Sequence, residues 1–237
     1  MKTVIVDERI GYKCERSLVL GGFHLLKLPK DSHLGEAVCS HPDTVLFCHG
    51  GEIITTAEYC DDAAYFFSDL REFSKKTKIC FTADERGAEY PRDCIMNALV
   101  IGDKIFAKSD TLSDKIKEFA TERGYKIIHT NQGYPACTTL AFGNSAITAD
   151  KGMAAVLRRE GVSVTEIRPG SISLDGCDYG FIGGASGVYD GCVYFFGDVC
   201  IHPDGELICG ALRREGFEPI SLSDEPLRDL GGMIFAD

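Results

Sequence analysis

Apolar and polar positions along this chain follow a pattern that repeats. From Thr138 to Thr148, two short apolar-rich runs flank Gly143-Asn144, the signal of a β-hairpin. Asp150 stands where a helix N-cap belongs, and Met153, Val156 and Leu157 mark one apolar helix face at i, i+3 and i+4. Gly161 supplies the C-terminal stop, and Val162 to Ile167 alternates as a strand. The same order of strand, turn, strand, helix and strand recurs downstream. There, Cys192 to Phe196, a turn at Gly197-Asp198 and Val199 to Ile201 lead to a helix capped by Asp204. That helix has Ile208, Ala211 and Leu212 on its face, and the stop Gly216 and the strand Phe217 to Leu222 follow. The helix ends agree residue for residue, Leu157-Arg158-Arg159-Glu160-Gly161 against Leu212-Arg213-Arg214-Glu215-Gly216.

Two further copies lie upstream. One runs from Ile95 to Ile101 through Gly102-Asp103 and Lys104 to Ala107, then a helix bearing Ile116, Phe119 and Ala120, to the strand Tyr125 to His129. The other runs from Val45 to Cys48 through Gly50-Gly51 and Glu52 to Thr55, then a helix with Phe66, Leu70 and Phe73, to the strand Lys78 to Phe81. A fifth copy is split between the termini. Thr3 to Val6, a cap at Asp7, a short helix ending at Leu18-Val19-Leu20 and the strand Phe23 to Leu28 lack only a first hairpin strand, and Gly232 to Ala236 supplies it. The pattern therefore predicts one domain over residues 1–237, an α/β propeller of five ββαβ units closed by pairing of the N- and C-terminal strands. Its units span 233–236 with 1–28, then 45–81, 95–129, 138–167 and 192–222.

Composition narrows the function classes. With 44% hydrophobic and 26% charged residues the chain is globular, and no run approaches the roughly 18 apolar residues of a membrane span. Acid and base are interspersed within Met1 to Arg9, where a signal peptide would be apolar, so a cytoplasmic protein is expected. A net charge of −11, spread along the chain, repels phosphate backbones and argues against nucleic acid, while it suits a cationic small ligand. The eleven cysteines include no C-x-x-C pair, and most of them lie in apolar runs, as small core hydrophobes do.

A closed propeller places its ligand on the axis, where the segments leading into each first strand converge. Those segments are Ser40 to Asp43, Tyr90 to Asp93, Asn131 to Cys137, Gly180 to Gly187 and Leu227 to Gly232. Together they hold a nucleophile, a base, carboxylates for a cation and a glycine-rich loop. Five ββαβ units resemble the pentein superfamily of guanidino-group-modifying proteins, which includes arginine and agmatine deiminases, dimethylarginine dimethylaminohydrolase and amidinotransferases. Ser40-His41-Pro42-Asp43-Thr44-Val45-Leu46 is similar to the segment bearing the general base in arginine deiminases, and Gly133 to Thr139 is similar to the superfamily's nucleophile segment. The chain as a whole most resembles a bacterial branch of that superfamily with no established activity.

The resemblance implies a Cys-dependent hydrolase or transferase acting on a guanidino or amidino compound, without a cofactor. It makes Cys137 the nucleophile, His41 the acid and base, and Asp43 its orienter or a substrate contact. Asp93 or Asp229 takes the cation, and Asn131, Gln132, Gly183, Gly184 and Ser186 complete the pocket. In the enzymes the nucleophile lies near the C-terminus, so this set is rotated around the ring. The superfamily also contains a non-catalytic member, which leaves open a small-molecule or protein-binding module using the same pocket. Cys39 and His41 with Cys48-His49 have zinc-ligand residue types, which makes a metal-dependent hydrolase a third and less favoured reading, but Cys48-His49 is expected a strand's length from His41, so no metal is assigned. A homodimer through the outer helices is compatible with the fold.

Overall fold

The computed structural model of the chain describes residues 2–236, so that Met1 of the split unit and Asp237 at the end of the expected domain lie outside the described residues. Five separate three-stranded sheets share one construction. In each, two strands form an antiparallel hairpin and a third returns parallel to the second after a helical connection. One sheet comprises Phe47–His49, Glu52–Thr56 and Lys78–Thr82. The next comprises Leu99–Ile101, Lys104–Ala107 and Lys126–His129. Thr139–Phe142, Ser145–Thr148 and Ser163–Glu166 form another. In the split unit, Lys2–Asp7 lies between Phe23–Leu28 and the C-terminal Ile234–Ala236, with Val4 opposite Phe235.

The crossover helices form as their sequences dictate. Lys151–Arg159 starts where the Asp150 carboxylate accepts the Met153 N–H at 2.9 Å, and it buries Met153, Ala154 and Leu157. Asp114–Arg123 buries Ile116, Phe119 and Ala120 and ends on Gly124 in the left-handed conformation that a residue without Cβ adopts freely.

Apolar contacts close the ring. Among the described residues five buried clusters form, and each draws on two neighbouring units. Ile5 and Leu26 pack with Ile53 and Phe67; Phe47 and Ile54 with Ile105 and Phe119. Leu99 and Phe106 meet Ala146 and Leu157, and Phe142 and Ile147 meet Phe195 and Leu212. The last cluster joins Phe196 and Leu222 to Val4 and Leu18 and returns to the first unit. Around the axis, Thr139–Phe142 touches Leu99–Ile101 on one side and Ser186–Tyr189 on the other, and Ser186–Tyr189 in turn touches Ile234–Ala236.

The last whole unit differs from the sequence expectation. Its hairpin pairs Ser186–Tyr189 with Cys192–Phe195 through a turn at Asp190-Gly191, both with positive φ, so the unit begins at 186 rather than 192. Gly197-Asp198 is not a hairpin turn, and Val199–Ile201 forms a 3-10 turn instead of a strand. Gly197 is required for another reason: a Cβ there would press on the carbonyls of Glu225 and Pro226. Asp7 does not cap the first helix, whose N-cap is Gly11, and Asp204 stands at its helix start but accepts from Arg168 instead of capping.

The terminal pairing carries a measurable share of stability. Removing residues 233–237 strips the cover from Val4 and Ile5, each of which contributes about 1.5–3 kcal/mol when buried. The truncated chain is expected to melt on the order of 10 °C lower by circular dichroism. An unchanged Tm would show that the closure is dispensable.

Candidate functional site

Two one-turn helices bring the candidate acid/base and nucleophile to the axis. His41 precedes Pro42 and takes the extended backbone that a following proline favours (φ −70°, ψ 116°). It opens the turn Pro42–Val45. Cys137 is the third residue of Pro135–Thr138, which Pro135 opens. In both turns proline occupies the first position, where no N–H is needed. Buried Asn97 ties them together, donating from Nδ2 to the Asp43 carbonyl at 2.9 Å and accepting the Ala136 N–H on Oδ1 at 2.8 Å.

Two glycine-rich segments close over this pair. The Asp229 carboxylate accepts the N–H groups of Phe181 at 2.8 Å and Gly231 at 3.0 Å. Gly184 donates to the Cys137 carbonyl at 2.9 Å, and Asp43 donates from its N–H to the Gly231 carbonyl at 3.0 Å. These approaches need glycine. A Cβ on Gly184 would overlap the Asp229 carboxylate, and Gly231, at φ +68°, lies against the Cβ of His41.

The result is a buried cluster. A ring nitrogen of His41, Sγ of Cys137 and a carboxylate oxygen of Asp229 all lie within 4.8 Å of one another. His41 Nε2 is 3.8 Å from Asp7 Oδ2 and Nδ1 is 3.9 Å from Asp229 Oδ1, so both nitrogens stand beside carboxylates without a hydrogen bond to either. Arg9 holds Asp7 through its guanidinium at 2.6 and 2.9 Å and through its own N–H at 2.7 Å. It also donates to the carbonyls of Glu36 and Ala37.

Burial sets the protonation states. It lowers the His41 pKa to about 4, against the opposing pull of Asp7, so the imidazole is neutral near pH 7. Burial and then the neighbouring Asp229 raise Asp43 to about 8. Asp229 rises to about 6 for the same first reason, although the N–H groups of Gly231 and Phe181 hold it down. Cys137, buried and facing Asp229 and Asp43, is pushed well above the ordinary thiol range.

A small axial cavity of about 160 Å³ adjoins the cluster, lined by Asp43, Ala136, Gly183, Ser186 and Gly231. It shares Ala98, Gly183 and Ser186 with a second hollow of about 270 Å³ between the innermost strands. Of the cluster residues, only Asp43 lines the cavity; His41, Cys137 and Asp229 sit behind the glycine segments. The Ser186 hydroxyl donates to the Ile182 and Gly183 carbonyls. Asp93 stays apart from the cluster and accepts from the Tyr134 hydroxyl. Asn131 and Gln132 line a different groove of about 390 Å³ with Tyr90 and Tyr134, where Gln132 donates to Asp150 at 2.7 Å. Cys39 and Cys48-His49 do not join His41: the His49 ring pairs with the Tyr125 hydroxyl and Cys39 faces the Glu36 carbonyl.

Sequence reasoning missed Asp7, Arg9 and Asn97. Asp7 ends the second strand of its unit, where the other four units have Thr56, Ala107, Thr148 and Phe195, so an acid there was the available signal. Asn97 stands two residues before its inner strand, as Cys137 does before Thr139.

The glycine requirement is testable. Gly184→Ala should cost about 1–3 kcal/mol in denaturant unfolding through overpacking against Asp229. Gly210→Ala, in a helix with open space at its Cβ, should be neutral or stabilising by up to about 1 kcal/mol. Equal effects of the two substitutions would refute the close approach.

Comparison with known proteins places this geometry. No curated protein matches the chain by sequence. In structure it is similar to dimethylarginine dimethylaminohydrolase solved as an adduct with S-methyl-L-thiocitrulline, at TM-score 0.57 and 11% identity over 94% of this chain and 92% of that one. It is similar to C. jejuni agmatine deiminase, at TM-score 0.56 and 8% identity over 94% and 87%. It is also similar to inosamine-phosphate amidinotransferase from Streptomyces griseus, at TM-score 0.54 and 12% identity over 98% and 91%. At such identities the likeness establishes the fold, the pentein arrangement of five ββαβ units. Residues 5–234 match the model described as "Family of unknown function (DUF6873)", and the chain belongs to that family.

Proposed function

We propose that this protein is a thiol-dependent hydrolase or transferase acting on a small guanidino or amidino compound, with Cys137 as nucleophile and His41 as acid and base. One observation carries the reading: Asp43 Oδ2 and the Asp229 carboxylate are buried beside the Cys137 thiol, and among the described residues no lysine or arginine lies within ion-pair distance of either acid. Uncompensated buried acids of this kind make a site for a cation. The structural neighbours support the same choice, since their names describe proteins that act on dimethylarginine and agmatine or transfer amidino groups.

The chemistry follows from the groups present. A guanidinium offers paired N–H donors to the two carboxylates, and its charge favours their ionised forms and the Cys137 thiolate. Sγ attacks the amidino carbon while neutral His41 accepts the thiol proton. His41 then gives that proton to the leaving amine as the C–N bond breaks. Water in a hydrolase, or an acceptor amine in a transferase, attacks the sulfur-bound carbon. The C–S bond breaks, and the proton of the second nucleophile returns through His41 to the thiolate. The substrate meets Asp43 first, in a cavity well below the roughly 300–1,000 Å³ of common ligand pockets, which suits a compact cationic head. Reaching Cys137 requires the Gly180–Gly187 or Asp229–Gly232 backbone to move aside.

The burial of a protonated Cys137 favours a second reading, a module that binds the same cation without turning it over. It predicts thermal stabilisation by guanidino compounds with no product formed.

Labelling separates the two. A haloacetamidine should alkylate Cys137 at least about 10-fold faster than the neutral haloacetamide of the same size, as read by peptide mapping, and Asp43→Asn should remove the preference. No alkylation of Cys137 by the cationic reagent, with guanidino compounds still raising the Tm, would sink the catalytic reading and leave the binding module.

The acids also predict a pH dependence. Asp43 titrates at about 8 in the folded chain against roughly 4 when unfolded, so the folded state holds the extra proton between those values. Stability is then lost as pH rises through that interval, by at most about 1.4 kcal/mol per pH unit. Between pH 6.5 and 8 the wild-type Tm should fall more steeply than that of Asp43→Asn. Parallel slopes would mean that Asp43 is compensated in solution.

A further inference from the structure

His41 has an unusual environment. It is fully buried, yet neither ring nitrogen makes a hydrogen bond, whereas buried polar side chains are nearly always satisfied. Asp43 Oδ2, also buried, lacks a partner as well. A ring nitrogen of His41 lies within 4.8 Å of the Cys137 thiol, with which the Asp43 side chain also interacts.

The two faces of the imidazole are distinct. Nε2 points toward Asp7, 3.8 Å away and held by Arg9, and Nδ1 points toward Asp229, 3.9 Å away. A ligating histidine ordinarily donates its other N–H to a carboxylate, which fixes the tautomer. Asp7 stands in that place for an Nε2–H and leaves the Nδ1 lone pair on the Asp229 side of the ring. We propose that His41 Nδ1, Cys137 Sγ and an Asp229 oxygen, with Asp43 as fourth ligand, bind one divalent ion of the zinc type. Mixed nitrogen, sulfur and oxygen donors select zinc or cobalt over magnesium or calcium.

Zinc ligands about 2.0–2.3 Å from the ion lie about 3.3–3.8 Å from one another, so the His41, Cys137 and Asp229 donors, now within 4.8 Å, need to draw in by about an ångström. Rotation of these side chains would supply that without moving the backbone, whose Gly184 N–H and Gly231 carbonyl bond other backbone atoms. Asp43 lines the axial cavity and gives an arriving ion its first ligand. Binding replaces the S–H bond with a metal–sulfur bond and releases the thiol proton to solvent. An ion held this way occupies the sulfur lone pair and both acids. It therefore excludes the guanidino compound, a consequence that rests on the function proposed above, whereas the binding itself does not.

The test uses the full chain, stripped with a chelator and dialysed against micromolar Zn²⁺, with bound metal measured directly. One ion per chain is expected, with affinity at least about 100-fold weaker in Cys137→Ser and in His41→Ala. It should be unchanged when the exposed Cys177 and Cys200 are both replaced by serine. Co²⁺ provides a second readout that does not depend on how His41→Ala folds: the wild-type complex should show a thiolate-to-cobalt charge-transfer band that Cys137→Ser abolishes. Failure of the wild type to bind, or binding that Cys137→Ser leaves intact, would overturn the site. Haloacetamidine labelling of the stripped and zinc-loaded chain keeps the two readings apart. Zinc bound at the site with no labelling of the stripped chain upholds the metal site and defeats the catalytic reading. Labelling of the stripped chain that zinc does not slow, with no ion bound, does the reverse.

Discussion

The pairing of Lys2–Asp7 with Ile234–Ala236 is the constraint on which the rest of the molecule depends. Each apolar cluster lies between two units, so no unit owns a complete core. A row of such units would leave an exposed apolar face at both ends. Closing the row into a ring removes both faces at once. It also creates the axis, because five inner strands and the five segments leading into them must then converge.

Convergence has two physical consequences. Backbones come so close that side chains are excluded at chosen positions, which is why Gly184 and Gly231 stand against Asp229 and His41. Water is excluded as well, so polar groups at the axis lose solvation that their neighbours only partly restore. Asp7 is compensated by Arg9, while Asp43 and Asp229 are not paired to any Lys or Arg among the described residues. The fold thus concentrates an unmet demand for positive charge at its centre, where desolvation makes such a demand strong. Sites that keep polar groups unsatisfied at a cost in stability are where function is ordinarily found.

The ring was legible in the sequence because its elements carry strong local signals. Gly143-Asn144, the Asp150 cap and the Met153–Leu157 face mark one unit well enough to find the others. The register of the last unit was not legible. Gly197-Asp198 reads as the turn although Asp190-Gly191 forms it, and the true inner strand Ser186–Tyr189 is weakened as a strand signal by Gly187, whose place is set by close contact with Met233. His41 and Cys137 stood out by residue type and motif, and the structure brings them together with Asp43 and Asp229. Asp7 was read as a cap because an acid before a helix usually is one. Its tertiary role depends on Arg9 folding back over it, which no local pattern encodes. Asn131 and Gln132 could not be separated from the axis by sequence, since they share a segment with Cys137 but lie on its outer side.

The same closure makes the order of the chain partly arbitrary. Residues 2 and 236 flank one hairpin position among five, and elsewhere that position is spanned by turns such as Gly50-Gly51, Gly102-Asp103 and Gly143-Asn144. Joining the two ends with a short linker and opening the chain at another of these turns preserves every strand partner and every shared cluster. Circular permutants of this protein would therefore begin in any unit while keeping His41 two units from Cys137. The place of a nucleophile along such a chain then carries no mechanistic meaning; only its place around the ring does.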